Sequence, residues 1–108
     1  MIKSKFTILT FYQFKKIDDI LIIKNKLADF CKFNKIKGTI ILAEEGINGT
    51  IAGLFESIKK FESHLLGLGF ANYNPKYSYS KFMPFFRLKV RNKKEIVTLR
   101  SKDVDPEN

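Results

Sequence analysis

The chain has 108 residues, enough for one compact domain and too few for two. Its apolar fraction of 44%, with eleven Phe, is that of a folded protein, its single cysteine (Cys31) excludes an internal disulfide, and no apolar run approaches the roughly 20 residues of a membrane span. A formal charge of +9, from 20 Lys and Arg against 11 Asp and Glu, points to a polyanionic partner, nucleic acid before an anionic membrane surface, with a merely solubilising surface as the alternative.

Met1 to Lys5 leads directly into a strand-like segment with no signal-peptide h-region, so a reducing, cytoplasmic compartment is the expectation. "KFTILTFYQF" (Lys5 to Phe14) is β-branched and aromatic without a helical period and predicts a strand that is apolar on both faces, Phe6, Ile8 and Tyr12 on one and Leu9 and Phe11 on the other. Ile20, Ile23, Leu27 and Cys31 then fall at steps of three and four, predicting an amphipathic helix from about Asp18 to Phe33. Asp18 and Asp19 suit its N-terminus, where carboxylates meet free N–H groups.

"TIILAEEG" and "NGTIAG" read as two strands joined by a loop short enough for a hairpin. A second amphipathic helix follows, with Phe55, Ile58, Phe61 and Leu65 on its apolar side, Glu56, Lys59, Lys60 and Glu62 on the other, and Gly67 and Gly69 ending it through left-handed backbone. "NYNPKYSYSKFMP" reads as a loop or irregular strand, and "FFRLKVRNKKEIVTL" as the last strand. The order strand, helix, strand, strand, helix, strand is the split βαβ, ferredoxin-like plan of the α+β class, in which two helices cover one face of a four-stranded antiparallel sheet. Its expected core holds Ile20, Ile23, Leu27, Ile58, Phe61, Leu65, Leu88 and Val90.

Alternation in the last strand places Phe86, Leu88 and Val90 under the helices and Arg87, Lys89 and Arg91 on the other side, with Lys93 and Lys94 extending the charge. Cations two residues, or roughly 7 Å, apart suit phosphates along a nucleic-acid strand. The competing reading is an edge strand defended by charge. Lys15 and Lys16 are the next candidate cations. An RNA recognition motif would carry its K/R-G-F/Y-G/A-F-V-x-F/Y signature, which no segment supplies, so binding is expected to be directed at the backbone.

Glu44 and Glu45 sit where the second strand leaves the sheet, and Gly46, Asn48 and Gly49 offer the positive-φ backbone of a tight reversal. Acid–base chemistry would need a third group or a metal to separate the roles of two carboxylates, and adjacent strand residues face opposite ways. The segment is therefore expected to be a conformationally specialised hairpin rather than a catalytic pair or metal site, with a functional contact as the alternative. Cys31, on an apolar helix stripe, is expected to be inert, and His64 to lie near the surface. No phosphate loop, zinc spacing or nucleophile elbow is present, and no catalytic residue is assigned.

"ILAEEGINGTIAG", followed after a helix by "FFRLKVRNKKEIVTL", resembles the N-terminal, acylphosphatase-like domain of the rhodanese-related tRNA uridine hydroxylases, over nearly the whole chain. The resemblance implies a fold that is ferredoxin-like, tRNA as a partner, oxygen-dependent 5-hydroxylation of the wobble uridine, and a rhodanese domain carrying the catalytic cysteine. Molecular oxygen would serve that larger protein, and no cofactor is expected within this segment. On this basis residues 1–102 form the N-terminal domain and 103–108 a tail or the start of a connector to a rhodanese domain. Glu44, Glu45, Gly46, Asn48 and Gly49 become a family motif, and Arg87, Lys89, Arg91, Lys93 and Lys94 the RNA-facing strand. An intramolecular docking domain without RNA contact is one alternative. An acylphosphatase-type hydrolase is another, although the loop "QFKKIDD" has neither the glycine nor the arginine of an anion cradle.

Overall fold

The computed structural model describes residues 5–93. In chain order they form β1 (Phe6–Phe14), α1 (Ile20–Phe33), β2 (Lys37–Ala43), β3 (Gly46–Leu54), α2 (Phe55–Gly67), β4 (Lys76–Ser80) and β5 (Leu88–Asn92). The strands make a single sheet of order β4-β1-β3-β2-β5. β4, β1, β3 and β2 are antiparallel neighbours in the ferredoxin-like arrangement, and β5 adds to β2 in parallel. The class is α+β and ferredoxin-like, as expected, but the sheet has five strands and is mixed rather than four-stranded and antiparallel.

The cause of the difference lies in "KYSYS". This segment is the strand that the plan requires beside β1, with Tyr77 opposite Leu9 and Tyr79 opposite Thr7 on the helix side and Lys76, Ser78 and Ser80 on the other. Since β4 occupies that edge, the chain passes through residues 81–87 to the opposite edge, where β5 finds the free backbone groups of β2. The expected continuation of the last strand past Lys93 lies outside the described residues.

α2 lies over β1 and β3, and α1 over β2 and β5. Leu9 and Phe11 of β1, Ile40 and Leu42 of β2, and Ile47 and Ile51 of β3 are buried against Leu27 and Cys31 of α1 and Ile58, Phe61 and Leu65 of α2. Phe61 is the aromatic centre, with ring centroids 5.5 Å from Phe11 and 6.3 Å from Phe30. Ile20, Ile23, Leu88 and Val90 pack on this core at its margin. The helical stripes hold except at the first residue of α2, since Phe55 is exposed, and at Glu62, which is buried rather than solvated. Asp19 occupies the α1 N-cap, where its carbonyl accepts the Ile23 N–H at 3.0 Å, but its carboxylate makes no capping bond. Gly69 (φ +101) turns the chain after α2 as expected, whereas Gly67 is still helical.

Candidate nucleic-acid interface

β5 is an edge strand whose side chains divide as the alternation predicts from Arg87 onward. Leu88 and Val90 pack inward, while Arg87, Lys89, Arg91 and Lys93 are exposed. Its ends are held by backbone bonds, Gly38 N–H to the Arg87 carbonyl at 3.1 Å and Lys93 N–H to the Leu42 carbonyl at 2.7 Å. Lys24 of α1 donates to the Asn92 side chain at 3.2 Å. Phe86, expected under the helices, is 96% exposed, because it precedes the first paired residue and lies in the connection. Lys94 lies outside the described residues.

Cross-strand register shows what surrounds these cations. Paired residues of neighbouring strands share a face, and the pairs Lys76–Thr10, Thr10–Thr50, Thr50–Thr39 and Thr39–Lys89 trace one row across all five strands on the side away from the helices. The Thr10 and Thr50 hydroxyls lie 3.4 Å apart. Lys37 lies beside this row next to Ala52, and Arg91 pairs with Ile41 on the same face. The described carboxylates are confined to the β1–α1 connection, the β2–β3 turn and the two helices, so the open face is cationic without an opposing charge. Tyr12 and Phe14 stand on it, 48% and 61% exposed, with ring centroids 6.2 Å apart at 72°.

The acidic motif is structural in its backbone. Ala43 pairs with Gly46, so Glu44 and Glu45 are themselves the reversal, and the turn ends there. Their carbonyls accept the N–H groups of Ile17 (2.8 Å) and Lys15 (2.9 Å), which fixes the β1–α1 connection against the hairpin. Lys15 and Lys16, both exposed, thereby lie at the same end of the sheet as Lys93, whose N–H is bonded to Leu42. Asn48 and Gly49, expected in the turn, are instead inside β3, opposite Tyr12 and Phe11. Neither has positive φ; the reason for glycine is close approach. A Cβ on Gly46 would lie 2.3 Å from the Gln13 carbonyl oxygen, and one on Gly49 2.7 Å from that of Thr39 and 2.8 Å from the Phe11 ring.

Glu62, which sequence reasoning placed in solvent, and Tyr73 and Tyr77, which it passed over, lie on the helix side. Glu62 accepts hydrogen bonds from the hydroxyls of Tyr73 (3.1 Å) and Tyr77. Burial, followed by the Glu62 charge and hydrogen bond, pushes Tyr73 up to about 12. The hydrogen bond to Glu62, followed by burial and charge, does the same for Tyr77. Cys31 is fully buried, and burial pushes its thiol up to about 12, which leaves it protonated and unreactive. His64 stacks on Phe30 with centroids 4.3 Å apart, and burial lowers its pKa against the opposing pull of the Lys26 backbone carbonyl. Among the described residues, no three of His, Cys, Asp and Glu gather into a metal-binding group, and no helix is long and apolar enough to cross a membrane. The depression at the β1–α1 connection is lined by Asp18 and Asp19 as well as Lys15 and Lys16, a mixed charge unlike an anion cradle.

The fold and this surface define a ferredoxin-like domain of the acylphosphatase type with a cationic open sheet. Solved structures agree on the fold. An acylphosphatase from Coxiella burnetii superposes with a TM-score of 0.53 at 11% identity, over 82% of this chain and 93% of that one, and Klebsiella pneumoniae BlrP1 with 0.63 at 12% identity, over 82% and 24%. Residues 6–96 match the family described as the UPF0176 acylphosphatase like domain, and the chain belongs to that family. Among curated relatives, the tRNA uridine(34) hydroxylase of Caulobacter vibrioides (strain NA1000 / CB15N) is 43% identical over 104 residues, covering 95% of this chain and 33% of the relative. That of Acaryochloris marina is 44% identical over 104 residues, with 95% and 34% covered. The chain thus spans about a third of the length of the curated relatives it matches.

Proposed function

We propose that this domain positions RNA for a tRNA-modifying oxidoreductase that hydroxylates the wobble uridine at C5 with molecular oxygen. The name carried by its relatives supports the reaction class; in this reading the chemistry itself, with a catalytic cysteine, is assigned to a rhodanese domain of the same protein. The observation that carries the RNA role is the open face bounded by Lys76 at one edge and Lys89 and Arg91 at the other, with the described carboxylates all elsewhere. Such a surface attracts a polyanion by counterion release and holds it by the backbone.

Replacing Arg87, Lys89 and Arg91 together with Ala is expected to weaken tRNA binding and to flatten its salt dependence, by about 0.7 to 0.9 in log–log slope for each phosphate that is no longer neutralised. Fluorescence anisotropy at several salt concentrations measures both, and an unchanged slope would remove β5 from the RNA interface. A second role, docking of the rhodanese domain, is favoured by the β4–β5 connection, where Phe82 and Phe86 are 77% and 96% exposed. Phe82→Ser with Phe86→Ser is expected to weaken association with the remainder of the protein supplied in trans; unaltered association would exclude that connection from the docking surface.

A further inference from the structure

We infer that the open face binds single-stranded RNA through a defined arrangement, the Lys76–Thr10–Thr50–Thr39–Lys89 row taking the sugar-phosphate backbone and the Tyr12 and Phe14 rings taking unpaired bases. This deepens, and rests on, the RNA-positioning role proposed above.

The row crosses five strands, and at about 4.8 Å between neighbouring strands it is roughly 19 Å long, enough for a few nucleotides laid across the sheet. Its ends are ammonium groups and its centre is hydroxyls. A threonine hydroxyl both donates and accepts, as does the ribose 2′-hydroxyl, the group that distinguishes RNA from DNA. The Thr10 and Thr50 hydroxyls bond to each other at a long 3.4 Å, and Thr39 has no side-chain hydrogen bond among the described residues, so all three retain bonding capacity toward a ligand. Asn48, opposite Tyr12 and Ile41, adds an amide next to the aromatic pair.

Tyr12 and Phe14 favour an unpaired strand over a duplex. They are adjacent on the same face of β1, more exposed than Phe6 or Ile8 on that strand, and inclined to each other at 72°, so they present one ring face and one ring edge rather than a closed stack. Bases inside a duplex have no free face to stack on such rings, whereas single-stranded bases splay onto aromatic side chains, two or three at a time on sheet platforms of comparable size. Charge favours RNA over a protein occupant, since Lys37, Lys76, Lys89 and Arg91 share the face with no described carboxylate.

The test uses the full chain and anisotropy with three labelled probes, an oligouridylate, the matching oligodeoxythymidylate and an RNA duplex. Tyr12→Leu with Phe14→Leu keeps bulk and apolarity but removes the rings, and is expected to weaken oligouridylate binding at least about tenfold while duplex binding changes less than about twofold. The ring exchange Tyr12→Phe with Phe14→Tyr is expected to bind as the parent does, and Thr10→Val with Thr50→Val to reduce the preference for RNA over DNA. Should the Leu variant fail to fold, photocrosslinking of thiouridine-containing oligouridylate to the parent chain decides the same point, with adducts expected at Tyr12 or Phe14. Parent-like oligouridylate binding by a folded Leu variant, or adducts only elsewhere, overturns the inference while leaving the tRNA-binding role of β5 intact. A parent chain that binds no RNA overturns both. A Leu variant that keeps RNA binding but loses association with the remainder of the protein makes the face a protein-docking surface and likewise overturns it.

Discussion

Phe61 touches both halves of the core, Phe11 on the sheet and Phe30 on α1, and is fully buried. Phe61→Ala is expected to lower stability by about 3 to 5 kcal/mol, read from urea unfolding; a loss below about 1 kcal/mol would contradict its central place. Glu62 shows the opposite kind of burial, a carboxylate accommodated by two tyrosine hydroxyls. Because both phenols are raised to about 12 from an ordinary value of about 10, their protonated form is favoured by folding. The contribution is fully present below pH 10 and is lost as pH rises through about 12. Tyr73→Phe with Tyr77→Phe is therefore expected to be less stable than the parent at neutral pH and to lose less further stability between about pH 10 and 12. An alkaline unfolding limb identical to that of the parent would contradict the pairing. At this scale the sequence was partly legible: Ile58, Phe61 and Leu65 follow from helical period, but nothing along the chain signals that Tyr73 and Tyr77 will reach Glu62, and the same period places that acid in solvent.

At the scale of elements, both helices and the β2–β3 hairpin follow from pattern and turn chemistry, whereas the sheet does not. "KYSYS" carries a period-two alternation of Tyr with Lys or Ser, the signal of a strand, but Pro75 in front of it and its polar residues also suit a loop. With β4 unassigned, the last strand falls by default into its place, although it belongs at the other edge. Pairing partners depend on which edges are free, and sequence alternation says nothing about that. The edge position of β5 carries its own expectation. Exposed Lys89 and Arg91 guard a backbone edge that pairs with no other strand among the described residues, so the Arg87→Ala, Lys89→Ala and Arg91→Ala variant is expected to self-associate more than the parent in light scattering without RNA. No change in scattering would show that the edge needs no charge for protection. Edge defence and RNA binding are compatible roles for the same side chains.

The whole molecule divides its surfaces by chemistry. Helices and their carboxylates occupy one side, and the other is an open sheet with cations at its edges, hydroxyls at its centre and two aromatic rings. The cations of β5 were legible because alternation along one strand is enough to find them. The threonine row was not, because Thr10, Thr39, Thr50 and Lys76 are brought together only by the register of four separate strand pairings. The central claim, that this open face is the RNA interface, is tested most directly by chemical-shift mapping of the isotopically labelled chain titrated with tRNA. The amide signals of Thr10, Tyr12, Thr39, Thr50, Lys76 and Lys89 are expected to shift together while those of Lys59, Ser63 and Leu66 on α2 stay in place. Shifts confined to the helices, or no shifts on titration with excess tRNA, would contradict it.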